Sequence, residues 1–378
     1  MTANDPVPHT PSRLGRIALA VVFILAVLGV AKLIVEEPEP RPAPSHIPSV
    51  QHADASPLPA PSASKQVPLL PDARASTLAE QRSNLLRRMA GELELAPAVL
   101  ARVRAIFEAS SVLGQGNPKL SEHPMTRTEC LEIRRRATGL QRASPRCGAP
   151  NMVPIYDPER ENRDSARLCI DQFEFPNLVC EYPVVHVKAR EAALLCEALG
   201  KRLCDAHEWE GACAGALRSP ETEYAWGRPR KTMTWLHNSE RTQTWAYGAD
   251  PSMQQCATAS RKTPDCVGGY VRCGSNTYPT GAFPACVSRF GVYDQHGNVA
   301  EHMSVPLAPE QLGSRGGHGS TEMKGSWFVF AAEAAHEDDC RWRAKDWHPS
   351  RVMDPKSHSN YHLGFRCCKD LVGGLDTP

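Results

Sequence analysis

The chain reads as an α+β protein with few short strands and much irregular structure, held by disulfides. Three observations predict this. Residues Cys196–Cys213 carry two helical segments around a Gly-Lys-Arg-Leu turn. Beyond Asn151, strongly periodic segments become rare and turn residues frequent. The 378 residues include 14 cysteines, an even and dense set that suits a disulfide framework in an exported protein.

The helical signals at the centre are specific. Ala192, Leu195, Cys196 and Leu199 share one helical face, and Gly200 stands where a helix C-cap wants glycine. Asp205 starts a second helix as an N-cap, with Glu208 in the capping-box position. Trp209 and Cys213, four residues apart, fall on one face of it. Short strands are expected at Val184–Val187, Gly291–Tyr293, Gly325–Phe330 and Leu363–Cys367.

Residues 1–36 read as a cytoplasmic stub and a transmembrane anchor. Ile17–Val35 is apolar except for Lys32, follows Arg13 and Arg16, and precedes Glu36 and Glu37. A helix of about 20 apolar residues spans a bilayer, and a terminal Lys can snorkel to the interface. The basic flank places the N-terminus in the cytoplasm and the main domain in the periplasm or outside the cell. The rival reading is a signal peptide cut near Lys32 after the small residues Gly29 and Ala31.

Residues 37–72 form a Pro/Ala-rich linker, an extended spacer with no capacity for a core. Residues 73–150 read as a helical hairpin region. Thr77 and Glu80 make a capping box ahead of the stripe Leu78, Leu85, Leu86, Met89 and Leu93. Pro97 suits the first turn of a second helix with Leu100, Val103, Ile106 and Phe107 on its apolar face. The hairpin packs either on the main domain or on a partner, and the sequence does not choose. Arg134–Arg136 reads as a solvated helix face.

A net charge of +1, with no basic run interleaved with aromatics, excludes nucleic acid as a partner. No Cys-x-x-Cys pair occurs, which argues against zinc ribbons and thioredoxin-like chemistry. No nucleophile elbow, phosphate loop or Ser/His/Asp ordering is present.

Residues 151–378 carry an ordered series of motifs. Met152-Val-Pro-Ile is followed by Tyr182-Pro-Val-Val, the Gly200-Lys-Arg-Leu turn, Glu208-Trp-Glu and Tyr224-Ala-Trp-Gly. Gly281-Ala-Phe-Pro, Phe290-Gly-Val-Tyr-Asp, Gly297-Asn-Val-Ala-Glu, Lys324-Gly-Ser-Trp and Gly364-Phe-Arg complete it. This set resembles the formylglycine-generating enzyme, or sulfatase-modifying-factor, family. The resemblance implies an irregular C-type-lectin-like domain.

The resemblance also implies chemistry. Family enzymes oxidise a protein cysteine to formylglycine with two nearby cysteines, copper and molecular oxygen; thiolates suit Cu(I). Those cysteines lie five residues apart, but here Cys340 has Ala335 at the matching place. Cys340 is the candidate catalytic thiol, and if active the domain is a metal-dependent oxidoreductase. A second branch of the family uses iron held by histidines of a helical bundle, whereas region 73–150 offers only His123. Histidines 296, 302, 318, 336, 348, 358 and 362 are scattered through the main domain.

By the same resemblance, Cys196 pairs with Cys367 and Cys213 pairs with Cys340 on a strand. Cys204 and Cys368, extra to the family pattern, are a candidate third pair. Each such bridge would contribute on the order of 4–5 kcal/mol in the chain-entropy model. Calcium is implied at Asn298 and Glu301, beside a Gly-Asn turn, with Asn238 a candidate for a second calcium site; oxygen ligands on a loop suit that ion. The alternative at Asn298 and Glu301 is an Asx-turn with a surface glutamate. Two functions follow from the sequence. The chain is a binding module for a peptide, protein or glycan, or it is an oxidase of the family type with copper or iron.

Overall fold

The Thr77 hydroxyl accepts the Glu80 N–H at 3.1 Å in the computed structural model. It opens helix α1, Leu78–Glu92. The Glu80 carboxylate is engaged mainly by the preceding residue, taking the Ser76 N–H and hydroxyl, each at 2.8 Å. Pro97 starts α2, Pro97–Glu108. Leu85, Leu86, Met89, Val103 and Phe107 of this hairpin share one core with Ala192, Leu195 and Phe365. The hairpin therefore packs on the main domain.

Helix α3, Arg127–Arg136, begins in a Thr126/Glu129 capping box. Its basic end is not wholly solvated, as the sequence reading had it. Arg134 lies over the Phe173 and Tyr293 rings at 5.2 and 4.6 Å and donates to the Gly281 carbonyl. Cation–π attraction and that bond hold it against the domain.

Two small sheets follow. Strands β1 (Met152–Ile155) and β2 (Leu168–Asp171) precede helix α4, Ala189–Ala198, strand β3, Arg202–Leu203, and helix α5, Ala206–Ala214. The short α6 (Pro220–Glu223) and α7 (Arg230–Glu240) come next, then β4 (Ala300–Val305), β5 (Ser320–Lys324), β6 (Leu363–Phe365) and β7 (Cys367–Asp370). One antiparallel sheet has the order β1-β2-β7-β3; the other is β5-β4-β6, with β6 parallel to β4. The structure describes residues 74–140, 142–345 and 350–371, all within the unit Lys65–Pro378. No helix among these is long and apolar enough to cross a membrane; the expected span at 17–35 lies outside the described residues.

The turn between α4 and β3 follows the cap chemistry read from sequence. Gly200 adopts φ 67°, a left-handed conformation that favours glycine, and Lys201 N–H reaches back to the Cys196 carbonyl at 2.9 Å. At Asp205 the Glu208 carboxylate accepts the cap N–H at 2.8 Å, while Asp205 itself holds the Gly313 N–H.

The strand expectations are met in part. Leu363–Cys367 is extended but divides at Arg366, so that β6 belongs to one sheet and β7 to the other. Val184–Val187 and Gly291–Tyr293 each supply one isolated bridge, because only a loop lies beside them. Gly325–Phe330 is not a strand. The ladder occupies Ser320–Lys324 and ends where Gly325 takes φ 72°. A Cβ at Gly364 would meet the Val184 carbonyl at 2.9 Å and Val299 at 2.7 Å, so only glycine fits there.

All 14 cysteines are paired. Cys196–Cys367, Cys204–Cys368 and Cys213–Cys340 are among the bridges. The others are Cys130–Cys180, Cys147–Cys169, Cys256–Cys286 and Cys266–Cys273. Cys340 sits in a turn rather than on a strand, held by its N–H to the Thr244 carbonyl at 2.8 Å.

Phe107 is fully buried between the hairpin and α4. Replacing it with alanine should lower the stability of the whole domain by about 3–5 kcal/mol in denaturant unfolding. A loss below about 1 kcal/mol would mean that the hairpin is not part of this core.

Candidate functional site

The residues expected to carry chemistry are spread over four places: Cys340 on the loop after β5, Asn298 on the turn before β4, Glu301 on β4 and Asn238 on α7. Trp327, Phe328, Val329 and Phe330 pack with Tyr361 in a satellite core. Aromatic and imidazole rings continue along it. Trp327 stacks on His362 at 4.8 Å, His336 stands edge-on to Trp327 at 5.4 Å, and His336 stacks flat on Trp342 at 4.6 Å.

Beside this row is a cleft of about 220 Å³, lined among others by Trp327, His302, His358, His362, Arg230 and Glu322. Burial pushes the His362 ring down to about 3 and the His302 ring down to about 4, so both are neutral at physiological pH. His302 Nε2 faces the Val187 carbonyl at 3.0 Å. The Trp327 indole N–H is buried without a protein acceptor. The cleft thus offers flat ring faces and a few polar groups, the usual make-up of a small binding site. Sequence reasoning missed it, because its histidines come from β4 and from the approach to β6, which no spacing rule joins.

Cys340 is buried and bonded to Cys213, and the His296 ring faces both sulfurs. His296 Nε2 lies 3.3 Å from Cys213 Sγ and 3.8 Å from Cys340 Sγ. Two thiolates for copper are not available: Ala335 fills the other position and every cysteine is oxidised. The resemblance-implied copper centre does not fit. Nor do three histidine ligands converge among the described residues, and His348 lies outside them.

The calcium residues are also placed. Asn298 Oδ1 accepts the Tyr278 N–H at 2.8 Å, and its Nδ2 donates to Glu174 at 2.6 Å. Glu301 is on β4, not in a loop, and is buried rather than at the surface. Its two oxygens take Arg366 at 2.5 and 2.7 Å and the Trp209 indole N–H at 2.9 Å. Asn238 brackets the Arg343 backbone, accepting its N–H at 2.9 Å and donating to its carbonyl at 2.8 Å. Calcium needs six to eight oxygens directed at one point. These side chains spend theirs on protein donors, so they do not fit calcium as arranged.

Two more acids lie in this core. Glu174 accepts the Val299 N–H at 3.0 Å, and burial first, then Asp294 and Glu301, pushes its carboxyl well above the usual range. Asp294 accepts the Gly281 N–H at 2.5 Å and is pushed up to about 6, chiefly by burial. A different cluster, Glu210, Glu223 and His237, is filled by cations. Arg343 and Lys324 hold Glu210, and Arg341 holds Glu223.

Residues 164–371 match the sulfatase-modifying factor enzyme 1-like domain. The chain belongs to that family. It is 29% identical over 193 residues to "Inactive C-alpha-formylglycine-generating enzyme 2" of Bos taurus, covering 50% of each chain. It therefore spans about half the length of that curated relative. Among solved structures it resembles CarF, with 12% identity over 58% of this chain and 97% of that one at a TM-score of 0.34. It also resembles PvdO from Pseudomonas aeruginosa, with 14% identity over 58% and 91% and a TM-score of 0.29. Five of the seven disulfides, the ring-lined cleft and the Arg366–Glu301 pair fall between residues 164 and 371, whereas Cys130–Cys180 and Cys147–Cys169 each begin before that range.

Two measurements check these placements. Chelation with EDTA should leave the melting temperature unchanged, and metal analysis should find no stoichiometric calcium; a fall of several degrees on chelation would restore the calcium reading. Asp294 has a folded pKa raised above its ordinary value, so its share of stability is complete below about pH 4 and is lost as pH rises through about 6. Relative to Asp294→Asn, the wild type should lose on the order of 2–3 kcal/mol across that window. Parallel pH profiles for the two proteins would refute the assignment.

Proposed function

We propose that this is an exported, membrane-anchored member of the family that binds a peptide, protein or glycan and does not generate formylglycine. The observation that carries the reading is the state of Cys340. It is tied to Cys213, with Ala335 five residues before it where the family has its other cysteine, so the domain presents no pair of free thiols to a metal. The name of the bovine relative, an inactive formylglycine-generating enzyme, points the same way.

Binding is assigned to the cleft beside Trp327. Neutral imidazoles and indole faces suit a planar or ring-shaped group, and the buried Trp327 N–H awaits an acceptor. Seven disulfides agree with an oxidising compartment, and the apolar segment 17–35 with its basic flank is what supports the anchor.

The test uses the full chain extracted from membranes by detergent; recovery without detergent in the soluble fraction would overturn the anchor. The protein is incubated with copper, a reductant and a Cys-x-Pro-x-Arg peptide, and the peptide mass is measured. No aldehyde should form, and free-thiol alkylation of the non-reduced protein should find no reactive cysteine. Aldehyde at substoichiometric enzyme would overturn the binding-only reading. Binding is then read by tryptophan fluorescence with the same peptide and with a panel of oligosaccharides. Saturable binding lost on Trp327→Ala is expected, and no binding by any probe would overturn the cleft assignment.

A further inference from the structure

We infer that Cys213, Cys340 and His296 form a redox-gated site for a thiophilic closed-shell cation of the Zn2+ class, closed while the bridge is oxidised and assembled when it is reduced. This site differs from the two-cysteine arrangement implied by the family resemblance. It draws one cysteine from α5, one from the turn near residue 340 and an imidazole from the turn before β4.

The geometry brings three soft or borderline ligand atoms together. Cys213 Sγ, Cys340 Sγ and a ring nitrogen of His296 all lie within 4.8 Å of one another, and all three residues are buried. The imidazole already has the tautomer a metal requires. Ala246 N–H donates to Nε2 at 3.1 Å, so the lone pair is on Nε2, the nitrogen nearer the sulfurs, where Ala246 now occupies it, and the proton is on Nδ1. Nδ1 has no hydrogen-bond partner and faces Asp338 Oδ2 at 3.6 Å. Asp338 is fixed by the Trp245 indole N–H and the Ser326 hydroxyl, each at 3.1 Å. A carboxylate behind a histidine ligand is the usual outer support of a metal site.

Reduction is balanced as follows. A dithiol reductant delivers two electrons and two protons to the Cys213–Cys340 sulfur–sulfur bond and leaves as its own disulfide. The cation then displaces both thiol protons to solvent. Two thiolates neutralise a divalent charge, so the buried site carries no excess, and the fourth tetrahedral position is left for water. The loop 244–248 controls entry. It is partly exposed and covers the site through Ala246 on His296 and the Thr244 carbonyl on Cys340 N–H. The movement that opens it also frees the Nε2 lone pair.

The experiment treats the folded protein with a dithiol under nitrogen and maps the opened bridges by differential alkylation and mass spectrometry. Zn2+ is then titrated against a chromophoric chelator, with Co2+ as a spectroscopic substitute. One equivalent of Zn2+ should bind to the protein with Cys213 and Cys340 reduced, and none to the oxidised protein. Co2+ should give a thiolate charge-transfer band. His296→Gln keeps both cysteines and the bridge; it should weaken Zn2+ by at least about 100-fold, and Asp338→Asn by about 10-fold. The proposal is overturned if the reduced protein binds no Zn2+ or if His296→Gln binds as tightly as the wild type. A bridge that stays closed to dithiol while the domain remains folded overturns it equally.

Discussion

The buried pairing of Arg366 with Glu301 holds the two sheets of this domain in one frame. Arg366 lies at the joint where β6 passes into β7, one strand in each sheet. Its guanidinium takes both Glu301 oxygens on β4 and donates as well to the carbonyls of Asp171, Gln172 and Tyr293. Trp209 of α5 adds its indole N–H to the same carboxylate. Removing either partner would leave a buried charge, an expense of about 3–5 kcal/mol, which is why such a pair fixes geometry more than it adds stability. The Gly364-Phe-Arg motif therefore reads as a structural joint in this chain.

The same pair explains why the expected calcium ligands are committed elsewhere. With Arg366 supplying the positive charge, Glu301 has no need of a cation, and Asn298 serves as a bracket between Glu174 and the Tyr278 backbone. Several other buried acids are likewise met by guanidinium and ammonium groups, Glu174 and Asp294 being the exceptions. Arg343 and Lys324 neutralise Glu210, and Arg202 neutralises Glu208 and Asp370. A strand-poor domain gains much of its definition from such fixed polar pairs and from its disulfides.

Much of the frame was legible in the sequence where chemistry is local. The Gly200 cap, the Glu208 return bond and the hairpin stripe from Leu85 to Met89 follow from spacings within a turn or two of helix. The strands were less legible, since β1 to β4 are short and almost fully buried, without the alternation that betrays a half-exposed strand. The site was legible only in its cysteines. Cys340 was read both as a free thiol and as the partner of Cys213, and the structure has the second. His296 could not be joined to them, being 83 and 44 residues distant in sequence. The cleft by Trp327 was hidden for the same reason: tertiary neighbours leave no mark in spacing.

Cys367 and Cys368 are adjacent on β7, and successive strand residues point to opposite faces. One is bonded into the core of α4 and the hairpin, the other into the core of α5. Their partners were made 171 and 164 residues earlier. A single dipeptide thus acts as a rivet through both sides of the sheet, and neither side can be sealed until it emerges. As the chain folds, Cys196 and Cys204 wait as thiols near Cys213 in sequence, so completion of this domain depends on oxidation that is late and on an environment that corrects premature pairs.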